Sequence, residues 1–593
     1  MEIVAQVETP GAARARPLLG GFSFPLNFYA RLLEQSDAKA DYLHYGLFNS
    51  PQQRIGEAQE RSTQLLLRNL PPPCHLLDVG IGLGTTLARL HRCGYSITGI
   101  TPEAAQIAYA RARHGSDLSL ICSRLEDFVH GPGTWDALLF QESAQYVNPV
   151  DIFAAADRLL GAQGEIIVLD EFALRRGEAQ RENLHLLEHF LRLGERCGFS
   201  VETQIDLSSE AAPTLDWALA ALHSHQGELG KELGLSAETL AALATSNRAY
   251  RLAYAEGRYG YFLLRLKRQA QASPWRIGWV DAERAAAMRA LFHEVFEHEQ
   301  SAAHWQWKYG EGRGTGIGVW NRSDDKMVAH YGGVTRDILY FGAARQAVQC
   351  GDVMVASGGR RTLSRKAPVF LAAATFMEQQ LGFGTAHLIG FGFPNERAYR
   401  LPEKLGLYDE VGRMQELTWP ALHGGASLCW KVRELPAPTA AALALIDGCW
   451  QAMSASLSTH IVGVRDGKYV AQRYFAHPDK RYRTFWVGNR LTGQTVGLFI
   501  LRHEPNGSCE LLDVIAARAR VALLLRQARR VAATLGCAQL FAWVVDSCVA
   551  DFAADADIKD LNVPVPGNHW TAGPSHADIA GHWWLTGGDA DFR

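Results

Sequence analysis

Asp78, Gly80, Gly82 and Gly84 alternate in "LLDVGIGLGTTL", residues 76–87. Glycine has no Cβ, so the backbone can turn sharply and lie directly against a ligand. Where such a turn opens a helix, unpaired N–H groups and the positive end of the helix dipole face outward. That chemistry suits an anionic or carboxylate-bearing ligand in a crevice at strand ends. The order acid-x-Gly-x-Gly-x-Gly differs from the GxGxxG dinucleotide fingerprint.

The neighbouring segments supply the elements that would hold this turn. "CHLLDVG" reads as a strand, "TTLARLHRCG" as a helix, "YSITGIT" as a strand, and "PEAAQIAYARARHG" as a helix that Pro102 can begin and Gly115 can end. "LSLICS", "WDALLFQE" and "GEIIVLDEF" are apolar runs of strand length separated by helix-length stretches. This alternation predicts a parallel, doubly wound sheet. "YGYFLLRLKR" reads as a late strand and "QAQASPW" as a linker.

A chain of 593 residues exceeds what one core supports and implies about two to four domains. With 47% hydrophobic and 20% charged residues and a net charge of −3, it has the composition of a soluble globular protein. That balance gives no overall field for nucleic acid or anionic lipid and points to small-molecule chemistry. The ten cysteines form no CxxC pair or metal-ligand spacing, which fits free thiols in a reducing compartment. His223 and His225 in "HSHQ" read as a solvated loop, and no metal site is expected. The beginning of the chain lacks the pattern of a secretory signal, and no apolar run reaches about 18 residues. A cytoplasmic protein with no membrane or nucleic-acid partner is the expectation.

Beyond residue 270 the sequence repeats itself in order. "GIGVWNRSDDKMVAHYGGVTRD" and "RTFWVGNRLTGQTVGLFILRHE" are hairpin-like, and "CGDVMVA" and "ELLDVIA" are strands with Asp352 and Asp513 in matching places. Each then leads to a helix, "RKAPVFLAAATFMEQQLG" or "ARVALLLRQARRVAATLG", and to a further strand, "AHLIGFGF" or "AQLFAWVV". Two copies of a hairpin-strand-helix-strand unit, divided near "RELPAPTAA", are predicted.

Residues of roughly 40–268 resemble class I S-adenosylmethionine-dependent methyltransferases. The resemblance rests on the glycine turn and on "GYSITGITPEAAQIAYAR", "LICSRLEDF", "WDALLFQESAQYV" and "RLLGAQGEIIVLDEF", in order and at the right spacing. It implies a Rossmann-like domain in which Gly80, Gly82 and Gly84 line the methionine portion of the cofactor and Asp78 orients the loop and the amino group. Thr101 stands where many members carry an acid. With Gln106 it resembles the cyclopropane-fatty-acid-synthase branch, which assigns both to the ribose and adenine side. Leu125 and Glu126 match the adenine positions, with Arg124 where an acid is common.

"DYLHYGLF" resembles the cap folded over the cofactor, which implies Tyr42, His44 and Tyr45 near the sulfonium or its carboxylate, Tyr45 as a cofactor contact and His44 in catalysis; an aromatic patch under the cap is the alternative. At the end of the motif-IV strand, the resemblance puts Gln141 on the cofactor and Glu142 and Tyr146 on the acceptor. Glu142 would act as a base or electrostatic partner, or only bond the loop. Residues of about 171–255, with "TLDWALAALHSHQGEL" and "LAALATSNRAYRLAYAEG", read as a helical insert where acceptor specificity would lie. Members acting on terpenoid diphosphates carry a stretch similar to "QESAQYV".

The repeated half resembles two GNAT-type N-acetyltransferase domains in tandem. The expected organisation is a methyltransferase domain over 1–270 and α+β GNAT-like domains over 274–422 and 426–593. Gly358, Gly359, Arg360 and Arg361 would hold the pyrophosphate of coenzyme A or a phosphopantetheine, and Tyr399 and Tyr408 match the place of the general acid, or pack the helix. Thirty residues separate Asp352 from Gly382 but only twenty-three separate Asp513 from Gly536, a gap that falls where the phosphate loop would be and marks the second copy as degenerate. The leading expectation is a methyltransferase of a small-molecule metabolite. The alternatives are a bifunctional enzyme that also transfers acyl groups from coenzyme A or a carrier protein, and a methyltransferase with a non-catalytic, partner-binding module.

Overall fold

Leu76, Leu77 and Val79 are almost fully buried in β1 (His75–Val79), as a strand covered by helices on both faces requires. The computed structural model describes residues 19–590 apart from positions 20, 38, 51, 178–183, 272, 358–363, 425 and 426. The chain divides into two compact units, Met1–Arg176 with Glu182–Gly278, and Trp279–Arg593 with Gly177–Arg181.

In the first unit the strands are β1, β2 (Ser96–Thr101), β3 (Ser119–Cys122), β4 (Trp135–Gln141), β5 (Leu160–Ala173), β6 (Phe199–Asp206) and β7 (Tyr259–Arg268). They form one sheet in the order β3-β2-β1-β4-β5-β7-β6. β1 pairs in parallel with both β2 and β4, whereas β7 runs antiparallel to β5 and β6. The order reverses between β1 and β4, the switch point outside whose carboxyl ends an open sheet of this kind leaves a crevice. α3 (Thr85–Arg92) follows the glycine turn, and α4 (Ala104–His114) ends at Gly115, whose φ of 109° stops it. Leu87 of α3 and Ile107 of α4 join Leu76, Leu139, Ile167 and Leu263 in a single core, each such burial worth about 1.5–3 kcal/mol.

Away from that core, α1 (Leu26–Asp37) packs Phe28 and Leu32 against Leu222, Leu229 and Leu240 of two long helices, α7 (Pro213–Leu233) and α8 (Ala237–Ala255). α2 (Ile55–Asn69) stands next to the cap segment. The stretch read as a helical insert holds α7 and α8 but also β6. Its alternate residues face solvent at the sheet's edge, and its polar sequence hides it from an apolar-run reading.

The second unit contains the repeat. Hairpins Gly314–Asn321/Met327–Tyr340 and Arg483–Asn489/Thr495–His503 each pass to a strand, Ala343–Val355 or Cys509–Ile515, a helix, Pro368–Gln380 or Val521–Thr534, and a parallel strand, Ile389–Phe391 or Gln539–Val545. The paired aspartates keep matching company. Asp352 accepts from the Tyr309 hydroxyl at 2.6 Å and faces Lys308 at 2.9 Å, while Asp513 accepts from Arg465 at 2.7 Å and the Tyr474 hydroxyl at 3.1 Å.

The two stretches also exchange strands. Tyr408–Pro420 lies between Gln539–Val545 and Asp557–Asn568, while Ile461–Gly463 and Trp583–Trp584 extend the sheet of Met327–Tyr340. Tyr399 and Tyr408 are buried with ring centroids 6.2 Å apart, and the Tyr408 hydroxyl meets that of Tyr331 at 2.6 Å. The expected phosphate loop, Gly358, Gly359, Arg360 and Arg361, lies outside the described residues. None of the ten cysteines is in a disulfide. Among the described residues no helix is long and apolar enough to cross a membrane, and no three His, Cys, Asp or Glu side chains gather as a metal site.

Candidate active site

A cavity of about 530 Å³ opens at the carboxyl ends of β1, β2, β4 and β5. That lies within the range of sites that hold a small ligand. Asp78, Gly80, Gly82, Thr101, Gln106, Leu125, Glu126, Gln141, Glu142, Tyr146, Tyr42, His44 and Tyr45 all line it. Gly84 does not. Its φ of 74° caps α3, and a Cβ there would come within 2.7 Å of the Ala110 Cβ, so its lack of a side chain serves packing.

The glycine turn works by close approach. Gly80 has φ 84°, and a Cβ on it would stand 2.5 Å from the Ser143 Cβ, which lets the loops after β1 and β4 touch. Gly82 has φ 52° and nothing within 4 Å of its Cβ position, so the backbone borders open space. Beside it the Asp78 carboxyl is buried, and burial alone pushes it up to about 7. A buried carboxyl in that condition gains from a cation placed next to it.

On the second strand, the Thr101 hydroxyl donates to Gln106 Oε1 at 2.8 Å, and Gln106 Nε2 donates to Glu103 Oε2 at 2.8 Å. Glu103, not singled out from the sequence, supplies an acid two residues past the strand end where Thr101 stands. Glu126 reaches Arg124 at 3.4 Å beside the fully packed Leu125. Gln141 accepts from Thr86 at 2.8 Å and keeps its amide nitrogen buried without a described partner.

At the end of β4, Glu142 sits at φ 54°, a left-handed conformation costly for a residue with a Cβ. Its own N–H bonds Leu169 O at 2.8 Å, and its Oε1 accepts the Tyr45 N–H at 2.5 Å and the Tyr261 hydroxyl at 2.6 Å. These bonds fix the carboxyl at the cavity wall. Burial, with help from the charges of Asp170 and Glu171, lifts it well above the usual carboxylate range. Next along the wall, Glu171 of β5 accepts from the Tyr254 hydroxyl at 2.8 Å, and burial raises it to about 7. Asp170, behind it and fully buried, is also raised to about 7 by burial despite the backbone donors around residues 143–145.

The cap residues divide. The Tyr45 ring stacks on Tyr261 at 5.7 Å. His44 has both nitrogens engaged, Nδ1 on Tyr45 O at 2.9 Å and Nε2 on Thr63 Oγ1 at 3.0 Å, and burial lowers it to about 4, so it is a neutral anchor of the segment. The Tyr42 hydroxyl donates to Glu60 at 2.9 Å. Tyr146 is 75% exposed. Tyr29, Trp217, Asn247 and Tyr250 complete the wall from α1, α7 and α8. None of these, nor Glu171, Tyr254 or Tyr261, was a sequence candidate. Trp217, Asn247, Tyr250 and Tyr254 lie in the stretches read as the acceptor insert without being singled out, and Glu171 left a trace as the second of two acids closing the apolar run "IIVLDE".

Residues 77–168, from β1 into β5, match the family model described as a methyltransferase domain, so this part of the chain carries one. Solved structures similar to it include the cyclase SpnF (21% identity over 46% of this chain and 100% of that chain, TM-score 0.36). Others are geranyl diphosphate C-methyltransferase from Streptomyces coelicolor A3(2) (19%, 44% and 100%, TM-score 0.33) and mycolic acid cyclopropane synthase CmaA1 (20%, 41% and 99%, TM-score 0.35). No curated protein matches the sequence.

Proposed function

We propose that the first unit is an S-adenosylmethionine-dependent methyltransferase acting on a small-molecule acceptor. The observation that carries this reading is the buried, raised carboxyl of Asp78 beside the open space at Gly82, a pairing that fits an amino acid's ammonium group against bare backbone. Asp78, Gly80 and Gly82 would hold the methionine portion, Thr101, Gln106 and Glu103 the ribose, and Leu125 and Glu126 the adenine. Gln141 and Tyr45 would close the site over them. When bound, the cofactor supplies a methyl group activated on a sulfonium. Glu142 faces the acceptor and holds or takes its proton, and the stacked Tyr45 and Tyr261 keep that carboxyl in place.

Calorimetry of the full chain with S-adenosylmethionine tests the reading, and absence of saturable binding would sink it. The pH dependence follows from the raised carboxyls. Between about 4, where free carboxyls titrate, and about 7, the folded state holds protons on Asp78, Asp170 and Glu171 that the unfolded state has released. Stability of the free protein therefore falls as pH rises through that window. Cofactor affinity moves the other way, because Asp78 must be ionised to pair with the ammonium. On the order of a tenfold gain is expected from pH 5.5 to 7.5, read by calorimetry, and a flat profile would remove Asp78 from the site.

The same reading takes the second unit as a non-catalytic module. A hollow bounded by Tyr331, Cys350, Phe391 and Tyr408 holds about 10 Å³. This is at the lower edge of the roughly 10–15 Å³ that one water needs, so the strands there meet without room for a ligand. Titration of the full chain with coenzyme A should show no saturable binding. A defined isotherm would favour the bifunctional alternative.

A further inference from the structure

The cavity is lopsided in charge. Among the described residues, Asp41, Asp78, Glu103, Glu126, Glu142 and Glu171 line it against one guanidinium, Arg124, which already reaches Glu126. His44, with both nitrogens bonded, adds no charge. Four of the six acids have work elsewhere: Asp41 is paired with Arg113, and Asp78, Glu103 and Glu126 stand along the glycine turn, β2 and the loop after β3. Glu142 and Glu171 remain, side by side at the ends of β4 and β5. No described group bonds Glu142 Oε2, since Tyr45 and Tyr261 both use Oε1. Around them the wall is aromatic, with Tyr29, Tyr45, Tyr146, Trp217 and Tyr250.

A pair of carboxyls in a low-dielectric recess attracts a cation far more strongly than it would in water, and ring faces add to that attraction. An anionic acceptor would meet the same wall with no lysine and no unpaired arginine among the described residues that line it. We propose that the acceptor is an alkylamine that enters as its ammonium ion, held between Glu142 and Glu171 and the tyrosine rings. This rests on the methyl-transfer reading above. Glu142, ionised once the cation sits beside it, takes one proton from the ammonium and exposes the nitrogen lone pair. That pair forms the new N–C bond while the S–C pair stays with sulfur, leaving a more alkylated ammonium and a neutral thioether. Glu171 stays as counter-ion to the cation on both sides of the step.

The test uses the full chain, first titrated to saturation with S-adenosylhomocysteine, and follows ligand-observed NMR binding of four probes. These are tetramethylammonium, dimethylamine, the neutral isostere tert-butyl alcohol, and inorganic pyrophosphate with magnesium. Both ammonium probes should bind at least tenfold more tightly than the alcohol, and pyrophosphate should not bind. Glu171→Gln should weaken the ammonium probes at least tenfold with S-adenosylhomocysteine affinity retained. Equal binding of the alcohol and tetramethylammonium, or binding of magnesium pyrophosphate in place of the amines, overturns the amine assignment. The wild-type comparison stands even where the variant fails to fold. Failure of S-adenosylhomocysteine to bind at all, read in the first titration, would instead overturn the methyl-transfer reading.

Discussion

Gly82→Val should abolish S-adenosylmethionine binding while leaving the protein folded. Gly82 carries φ 52°, where a β-branched residue is strained by about 1–2 kcal/mol. The larger effect is on the ligand side. No protein atom lies within 4 Å of the Cβ position, so a valine side chain there would fill the space bordering the backbone and displace whatever rests on it. A loss of at least about 100-fold in affinity, or about 2.7 kcal/mol, is expected, with Gly82→Ala between the two. Calorimetry gives the affinities, and thermal melts show whether the variant remains folded. Equal affinity in a folded Gly82→Val protein would place the cofactor elsewhere.

Glu142→Gln should lower kcat by about 10²–10⁴-fold, the usual span for loss of a general base, with S-adenosylhomocysteine affinity almost unchanged. The substitution is clean because the amide oxygen can still accept the Tyr45 N–H and the Tyr261 hydroxyl, so the residue's position survives. What is lost is a group able to carry a proton and a charge. Turnover measured by mass spectrometry with an acceptor that the wild type methylates gives kcat, and the isotherm gives the affinity. If turnover is unaffected, Glu142 serves only to bond the loop.

The parts of this site that were legible in the sequence are those that one loop sets. Asp78, Gly80 and Gly82 fall within five residues at the end of one strand, and Thr101 and Gln106 are the end of β2 and the first turn of α4, so spacing alone brings each group together. The hydrogen bond between Thr101 and Gln106 is local in that sense. The wall opposite is not. Tyr261 reaches Glu142 from 119 residues away and Tyr254 reaches Glu171 from 83, across contacts that depend on which strand pairs with which. Period-2 alternation tells which face of a strand is buried but says nothing of its neighbour. That is why the hairpins, helices and matched aspartates of the repeat could be read from the chain, whereas the exchange of Tyr408–Pro420 and Trp583–Trp584 between its sheets could not. β6 escaped for a different reason, since an edge strand with one solvated face has no apolar run to announce it.

That exchange also sets when the second unit can fold during synthesis. The sheet that holds Met327–Tyr340 is completed only by Ile461–Gly463 and then Trp583–Trp584, and Tyr408–Pro420 has no strand partner until Gln539–Val545 and Asp557–Asn568 have left the ribosome. Until then Trp419 and its apolar neighbours, buried in the finished protein, stay uncovered on a nascent chain whose strand edges are unpaired. Pairings so distant in sequence close slowly, and exposed edges of this kind are where nascent chains stick to one another. Both sheets of the second unit are thus complete only once the last strands of the chain have been made.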